Sequence, residues 1–147
     1  MLSFKPITKE NFSAIVKMKR PENEHFVASN AYSLAQAWLY REANDTFPFA
    51  IYKDKEPVGF MMLYEELGSR TLGIWRLMFP LEHQNKGYGS WAIGEIIKLA
   101  KESGKYDRIE LDYVPSNTIA AHVYEKLGFR PTGEIDNGEI VMELRLK

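Results

Sequence analysis

The chain contains no cysteine. That absence excludes disulfides, thiolate nucleophiles and Cys-based zinc or iron–sulfur sites together. Histidine is scarce too: His25, His83 and His122 stand far apart without metal-ligand spacing, so each reads as a structural or surface residue and no metal is expected. Charge of one sign is also lacking, since 19 basic and 20 acidic residues leave a net charge of −1. A nucleic-acid binder, whose affinity comes largely from Lys and Arg neutralising phosphates, would carry a basic excess. No apolar run approaches the ~20 residues of a membrane span. The opening Met1-Leu2-Ser3-Phe4-Lys5-Pro6 has no basic stretch leading into an apolar core, as a secretory leader would. A soluble, cytoplasmic protein without nucleic-acid or membrane partners is expected.

What remains is an ordinary globular composition, 45% hydrophobic and 27% charged, far from the disordered range. At 147 residues one domain is expected over positions 1–147, without repeats or a Gly/Pro/Ser-rich linker. Leu2 to Ile7 reads as a strand. Thr8 offers an N-cap to a helix carrying Phe12, Ile15, Val16 and Met18, and Arg20 to Asn30 reads as a loop. Ser33 is placed as the cap of a second helix through Ala43, with Leu34, Ala37, Trp38 and Arg41 on its covered face. Phe47 to Tyr52 and Pro57 to Tyr64 form a hairpin by spacing, and Arg70 to Phe79 is dense enough in apolar residues for a buried central strand. A long helix opens at Gly87 or Gly89, with Trp91, Ile93, Ile96, Ile97, Leu99 and Ala100 at its period, and ends at Ser103-Gly104. Arg108 to Val114 alternates as a strand, and Asn117 to Leu127 is a shorter helix. Phe129 to Glu134 and Glu139 to Leu146 close as a hairpin about Asn137-Gly138. The order is β-αα-βββ-α-β-α-ββ, an α+β fold with a mostly antiparallel central sheet and helices on both faces.

The stretch that carries chemistry joins the buried strand to the long helix: Gln84-Asn85-Lys86-Gly87-Tyr88-Gly89-Ser90. Two glycines one residue apart allow close backbone approach and expose successive N–H groups at a helix start. Such donors, with the helix dipole, favour a phosphate or pyrophosphate. A ligand-free strand-to-helix turn accounts equally well for a bare Gly-x-Gly. A P-loop fits poorly, because no Lys-Ser/Thr pair follows the last glycine. A dinucleotide fingerprint fails for want of a third glycine.

The second half of the chain adds Asn117 and, seven residues on, Tyr124, followed by Leu127-Gly128-Phe129. With both segments in this order of elements, the sequence resembles the GCN5-related N-acetyltransferase (GNAT) superfamily across essentially its whole length. The resemblance implies acetyl-CoA as co-substrate. It implies that Gln84, Asn85, Lys86, Gly87, Tyr88, Gly89 and Ser90 hold the CoA pyrophosphate. Leu77, Met78 and Phe79 would pair their backbone with the pantetheine, and a main-chain N–H would face the acetyl carbonyl. Asn117 would touch the pantetheine, and Tyr124 would be the general acid that protonates the leaving thiolate. Tyr124 also reads as a half-buried aromatic on a helix face.

A narrower similarity, to the bacterial spermine/spermidine (diamine) acetyltransferases, lies in Val58-Gly59-Phe60-Met61-Met62, Arg76-Leu77-Met78-Phe79 and Phe129-Arg130-Pro131-Thr132-Gly133-Glu134-Ile135. It implies a polyamine acceptor, read by carboxylates such as Glu22, Glu24, Glu42, Glu65 and Glu66. A peptide N-terminus or another small amine is the alternative acceptor, and a non-catalytic acetyl-CoA-binding module the alternative of another class. A homodimer is compatible with the resemblance. Many relatives carry an acidic residue on the central strand where this chain has Trp75 and Arg76. An ammonium must lose a proton before it attacks, which leaves Glu65, Glu66, Glu82, His83 or an ordered water as acceptor.

Overall fold

The computed structural model describes residues 1–20 and 28–147. Most of the expected loop between Arg20 and Asn30, with Glu22, Glu24 and His25, lies outside the described residues. In chain order the elements are β1 (Leu2–Pro6), α1 (Phe12–Lys17), α2 (Asn30–Leu39), β2 (Thr46–Lys53), β3 (Glu56–Glu66) and β4 (Thr71–Met78). They continue with α3 (Tyr88–Ser103), β5 (Arg108–Tyr113), α4 (Thr118–Lys126), β6 (Arg130–Asp136) and β7 (Glu139–Arg145). This is the order read from the sequence. The strand registers are antiparallel for β1–β2, β2–β3, β5–β7 and β6–β7, and parallel for β4–β5. Among the described residues no helix is long and apolar enough to cross a membrane. The chain forms two compact units, Met1–Tyr64 with Arg76–Gly89, and Glu65–Trp75 with Ser90–Lys147.

In the first unit β1, β2 and β3 lie side by side. The β2–β3 turn is Asp54-Lys55, with Asp54 at φ +56°, a conformation that a short polar side chain tolerates. The Asp54 carboxylate also holds the N-terminal ammonium at 2.5 Å. On β3 the unbroken run Val58 to Leu63 is buried, so both faces of the strand are covered.

Two helix caps differ from the sequence reading. Asn11, not Thr8, occupies the N-cap position of α1. The Asn11 amide accepts from the Thr8 N–H (2.8 Å) and donates to the Pro6 carbonyl (3.0 Å), so it closes the turn instead of the helix. Ser29, not Ser33, caps α2, with its Oγ accepting from the Tyr32 N–H at 3.1 Å. The helix stops at Leu39, and Arg41–Ala43 form a separate 3-10 turn. The core face of α2 is set by Asn30 and Ser33, both fully buried, with the Asn30 amide donating to the Ile15 carbonyl at 2.8 Å. Trp38 therefore points outward, 65% exposed, beneath the Arg41 guanidinium. Small hydrogen-bonded polar residues took the place that apolar periodicity assigned to Trp38.

In the second unit β4, as far as Trp75, is followed by β5, β7 and β6 as neighbours in that order. Ala92, Ile93, Ile96 and Ala100 bury one stripe of α3, whereas Leu99 is half-exposed. Arg70, at φ +53°, ties the start of β4 to the Asp107 carboxylate (2.9 Å) and the Gly104 carbonyl (2.8 Å). The closing hairpin turns on Asn137-Gly138, both at positive φ (49° and 79°), as its turn type demands. β6 begins at Arg130, one residue later than read, because Phe129 is spent as a fully buried plug after α4.

Candidate active site

The parallel register of β4 with β5 runs from Thr71↔Arg108 to Ile74↔Leu111, and β4 continues for Trp75, Arg76, Leu77 and Met78 beyond it. Backbone groups past the end of a ladder must find other partners. This is the strand end that Leu77, Met78 and Phe79 occupy, before Pro80 stops it.

Phe79 is held from several sides within the first unit. Its carbonyl accepts from the Gln84 side-chain Nε2 (2.5 Å) and from the Arg20 guanidinium (3.0 Å). Its ring lies against Gly59 on β3, where a Cβ would come within 2.5 Å of two ring carbons. The Tyr88 ring is tilted against it, with centroids 6.0 Å apart.

The turn after Phe79 shapes a row of donors. Pro80 and Leu81 carbonyls accept from the N–H groups of His83 (2.9 Å) and Gln84 (3.1 Å) in a short 3-10 turn. Asn85 (φ +59°) and Gly87 (φ +79°) then adopt left-handed conformations on either side of Lys86. The N–H groups of Asn85, Lys86 and Gly87 find no acceptor among the described residues. Alternation of this kind turns successive N–H groups to one side as an anion-binding concavity. α3 begins at Tyr88 with no acidic residue in its first turn, so its positive end is not neutralised. A Cβ at Gly87 would meet nothing within 4 Å, and one at Gly89 only a Phe79 ring carbon at 3.9 Å. The residues present thus fit a pyrophosphate, with exposed Lys86 beside them. The Gln84 N–H and side-chain Nε2 donate to the Leu81 and Phe79 carbonyls and so also close the turn.

Asn117, Tyr124 and Ser90 lie in the second unit. Asn117 is the N-cap of α4, its Oδ1 accepting from the Ala120 N–H at 3.2 Å. Seven residues later, about two helical turns, Tyr124 stands where the helix ends in a Schellman motif. The Phe129 N–H reaches the Tyr124 carbonyl (3.0 Å) and the Gly128 N–H reaches the Glu125 carbonyl (3.0 Å). Gly128 supplies the required positive φ (+104°). The Phe129 ring then packs on Tyr124 at 6.3 Å, and the Tyr113 ring meets it edge-on at 6.1 Å. Leu127-Gly128-Phe129 is therefore the device that orients Tyr124. Burial, with smaller contributions from the Asp112 and Glu139 carboxylates, pushes the Tyr124 phenol up to about 12. It stays protonated at neutral pH and can donate.

The proton-acceptor candidates are unequal. Glu65 accepts from the Tyr106 hydroxyl and from Lys105 Nζ (3.2 Å). The Tyr106 hydrogen bond, helped by Lys105, holds its carboxyl below the usual range despite burial. Glu65 is a satisfied structural carboxylate. Glu66 accepts from the Ser69 hydroxyl at 2.8 Å. Glu82 and Glu42 are exposed on short turns. His83 is largely buried, with Nε2 at 3.6 Å from the Glu56 carboxylate. Arg76 donates to the Gln36 side chain at 3.0 Å. Among the described residues no group of three or more His, Asp or Glu could hold a metal ion.

Two contributors escaped the sequence reading. Gly59 had a signal, an isolated glycine in an otherwise apolar strand, which marks close backbone approach. Arg20 had none, because its partner is a main-chain carbonyl 59 residues away.

Comparison with known proteins bears on this geometry. A family model described as the acetyltransferase (GNAT) family matches residues 12–129. The spermine/spermidine N(1)-acetyltransferase of Bacillus subtilis (strain 168) is 29% identical over 150 residues, covering 96% of each chain. The structure of spermidine N-acetyltransferase from Vibrio cholerae in complex with CoA and spermine matches with a TM-score of 0.78 at 18% identity, over 99% of this chain and 95% of that one. The paia N-acetyltransferase of Thermoplasma acidophilum, in complex with coenzyme A, matches with a TM-score of 0.72 at 16% identity, over 99% of both chains.

Proposed function

Since the chain belongs to the acetyltransferase (GNAT) family, we propose that it transfers an acetyl group from acetyl-CoA to a primary amine, and that the amine is a polyamine such as spermidine or spermine. The observation that carries the donor assignment is the row of N–H groups at Asn85, Lys86 and Gly87 leading into the unneutralised start of α3. Asn85, Lys86, Gly87, Tyr88, Gly89 and Ser90 bind the pyrophosphate in this reading, and Gln84 holds the turn in shape. Leu77, Met78 and Phe79 present main-chain groups beyond the β4–β5 register, where a backbone N–H can stabilise charge developing on the acetyl oxygen. Asn117 contributes its side-chain amide, of which the Oδ1 already caps α4.

Acetyl-CoA, when bound, supplies the acyl carbon and the thiolate leaving group. The chain offers no cysteine for a covalent acyl-enzyme, so the amine nitrogen bonds directly to the carbonyl carbon as the carbon–sulfur bond breaks. Tyr124, kept neutral by burial, gives its proton to the departing sulfur and regains one from solvent. The ammonium loses one proton to water before it attacks, and the nitrogen loses a second to water once the carbon–nitrogen bond has formed; Glu65 is already committed to Tyr106 and Lys105.

The polyamine assignment is supported by the similarity to the Bacillus subtilis enzyme along nearly the whole of both chains. A thiol-release assay with spermidine, spermine, short diamines, aminoglycosides and N-terminal peptides tests it. Spermidine or spermine should be the best acceptor, with turnover falling as salt screens the ammonium groups. If another amine releases thiol while both polyamines release none, the acceptor assignment is wrong. If no amine does so although acetyl-CoA binds, the chain is a binding module.

A further inference from the structure

We propose that Arg20 is a positioning residue for acetyl-CoA: with Gln84 it clamps the Phe79 carbonyl and so fixes the direction of the Leu77–Phe79 backbone. The proposal rests on the assignment of that backbone to acetyl-CoA.

The Phe79 carbonyl precedes Pro80, at the point where β4 has ended and no ladder partner follows. A carbonyl oxygen has two lone pairs, and here both are used. One receives a neutral amide hydrogen from Gln84 (2.5 Å), four residues past Pro80, and the other a charged guanidinium hydrogen from Arg20 (3.0 Å). The Gln84 bond closes a short local loop, so it constrains the turn. The Arg20 bond comes from a separate part of the chain, two residues beyond the C-cap of α1 at Met18. It therefore anchors the strand end to the rest of the first unit.

A charge-assisted hydrogen bond is stronger than a neutral one. Its loss here leaves no unsatisfied buried acceptor, because Gln84 still serves the oxygen. The direction of the peptide planes at Leu77, Met78 and Phe79 depends on Arg20, since freedom at this carbonyl is freedom in the N–H groups just before it. Loss of Arg20 should therefore weaken acetyl-CoA binding.

The test uses the full chain. CoA affinity is measured by calorimetry, acetyl-CoA KM and kcat by thiol release, and the Phe79 carbonyl carbon shift by NMR. It compares the native protein with Arg20→Met, Arg20→Lys, Gln84→Met and the Arg20→Met/Gln84→Met double variant. The expected result for Arg20→Met is a Kd and KM for the coenzyme raised about threefold to tenfold, the size of one net hydrogen bond. The Phe79 carbonyl shift should move, and Arg20→Lys should recover part of both changes. The double variant should lose more affinity than the two single losses combined, because only then is the carbonyl left without a donor. Native-like affinity in Arg20→Met overturns the proposal, as does an additive double variant or an unmoved carbonyl shift. Should Arg20→Met fail to fold, a native-like Kd and carbonyl shift in Arg20→Leu or Arg20→Gln does the same. A native protein that binds no CoA removes the functional assignment itself, and the positioning role with it.

Discussion

The backbone of Gly59 passes so close to the Phe79 ring that a Cβ at position 59 would lie 2.5 Å from Cδ1 and Cε1, and 2.9 Å from the Met78 carbonyl oxygen. One of those neighbours is backbone, so the collision has no inexpensive escape. Gly59→Ala should destabilise the protein by about 1–3 kcal/mol, the usual range for overpacking. It should also displace Phe79 and weaken CoA binding in whatever protein remains folded. Denaturant unfolding and calorimetry on the same sample check both. Native stability in Gly59→Ala would show that the Phe79 ring moves freely.

Tyr106 and Lys105 occupy the Glu65 carboxylate, and the sign of the resulting pH dependence follows from its lowered pKa. A carboxyl with a folded pKa below its unfolded value adds stability above the unfolded value, and loses it as pH falls through the folded one. Tyr106→Phe should therefore lower the thermal midpoint at pH 7, through loss of a hydrogen bond to a charged group worth about 1.5–3 kcal/mol. The deficit should shrink as the pH is taken below the ordinary carboxylate range. Glu65→Gln should leave kcat unchanged. A large fall in kcat with the fold preserved would restore Glu65 as a proton acceptor.

Much of this was legible in the sequence, for identifiable reasons. Asn137-Gly138 and Gly128 announce backbone conformations that few other residues adopt, and the chain turns at both. Asn85 and Gly87 sit in the turn that its spacing had marked for an anion. The α2 face was misplaced because burial there runs through Asn30 and Ser33, whose hydrogen bonds to Ile15 and Ser29 make polar residues at home in a core. Periodicity counts apolar residues and cannot see such bonds. Glu65 looked available for the same reason, since its partners Lys105 and Tyr106 are 40 and 41 residues away.

The proposed proton donor, Tyr124, is held by the Schellman ending of α4 and the Tyr113 and Phe129 rings, with its phenol pushed up to about 12. Tyr124→Phe keeps the ring and removes only the hydroxyl. General acid catalysis contributes about 10²–10⁴-fold, so kcat should fall within that range while CoA affinity holds. Because the raised pKa keeps the phenol protonated, the native kcat should show no falling limb from this group through pH 10. A Tyr124→Phe enzyme that keeps most of its kcat with chemistry rate-limiting would leave the residue a packing role.

The central claim is that the backbone between Asn85 and Ser90 binds the pyrophosphate of acetyl-CoA. Gly89→Val tests it most directly, because a Cβ there meets only a Phe79 ring carbon at 3.9 Å and φ lies outside the strained region. The fold should accept the substitution, while the added methyl groups stand where the ligand approaches. Calorimetric titration of CoA into Gly89→Val, shown folded by circular dichroism and an unchanged thermal midpoint, should give a dissociation constant raised at least about tenfold, or 1.4 kcal/mol. Native affinity in that folded variant would contradict the assignment.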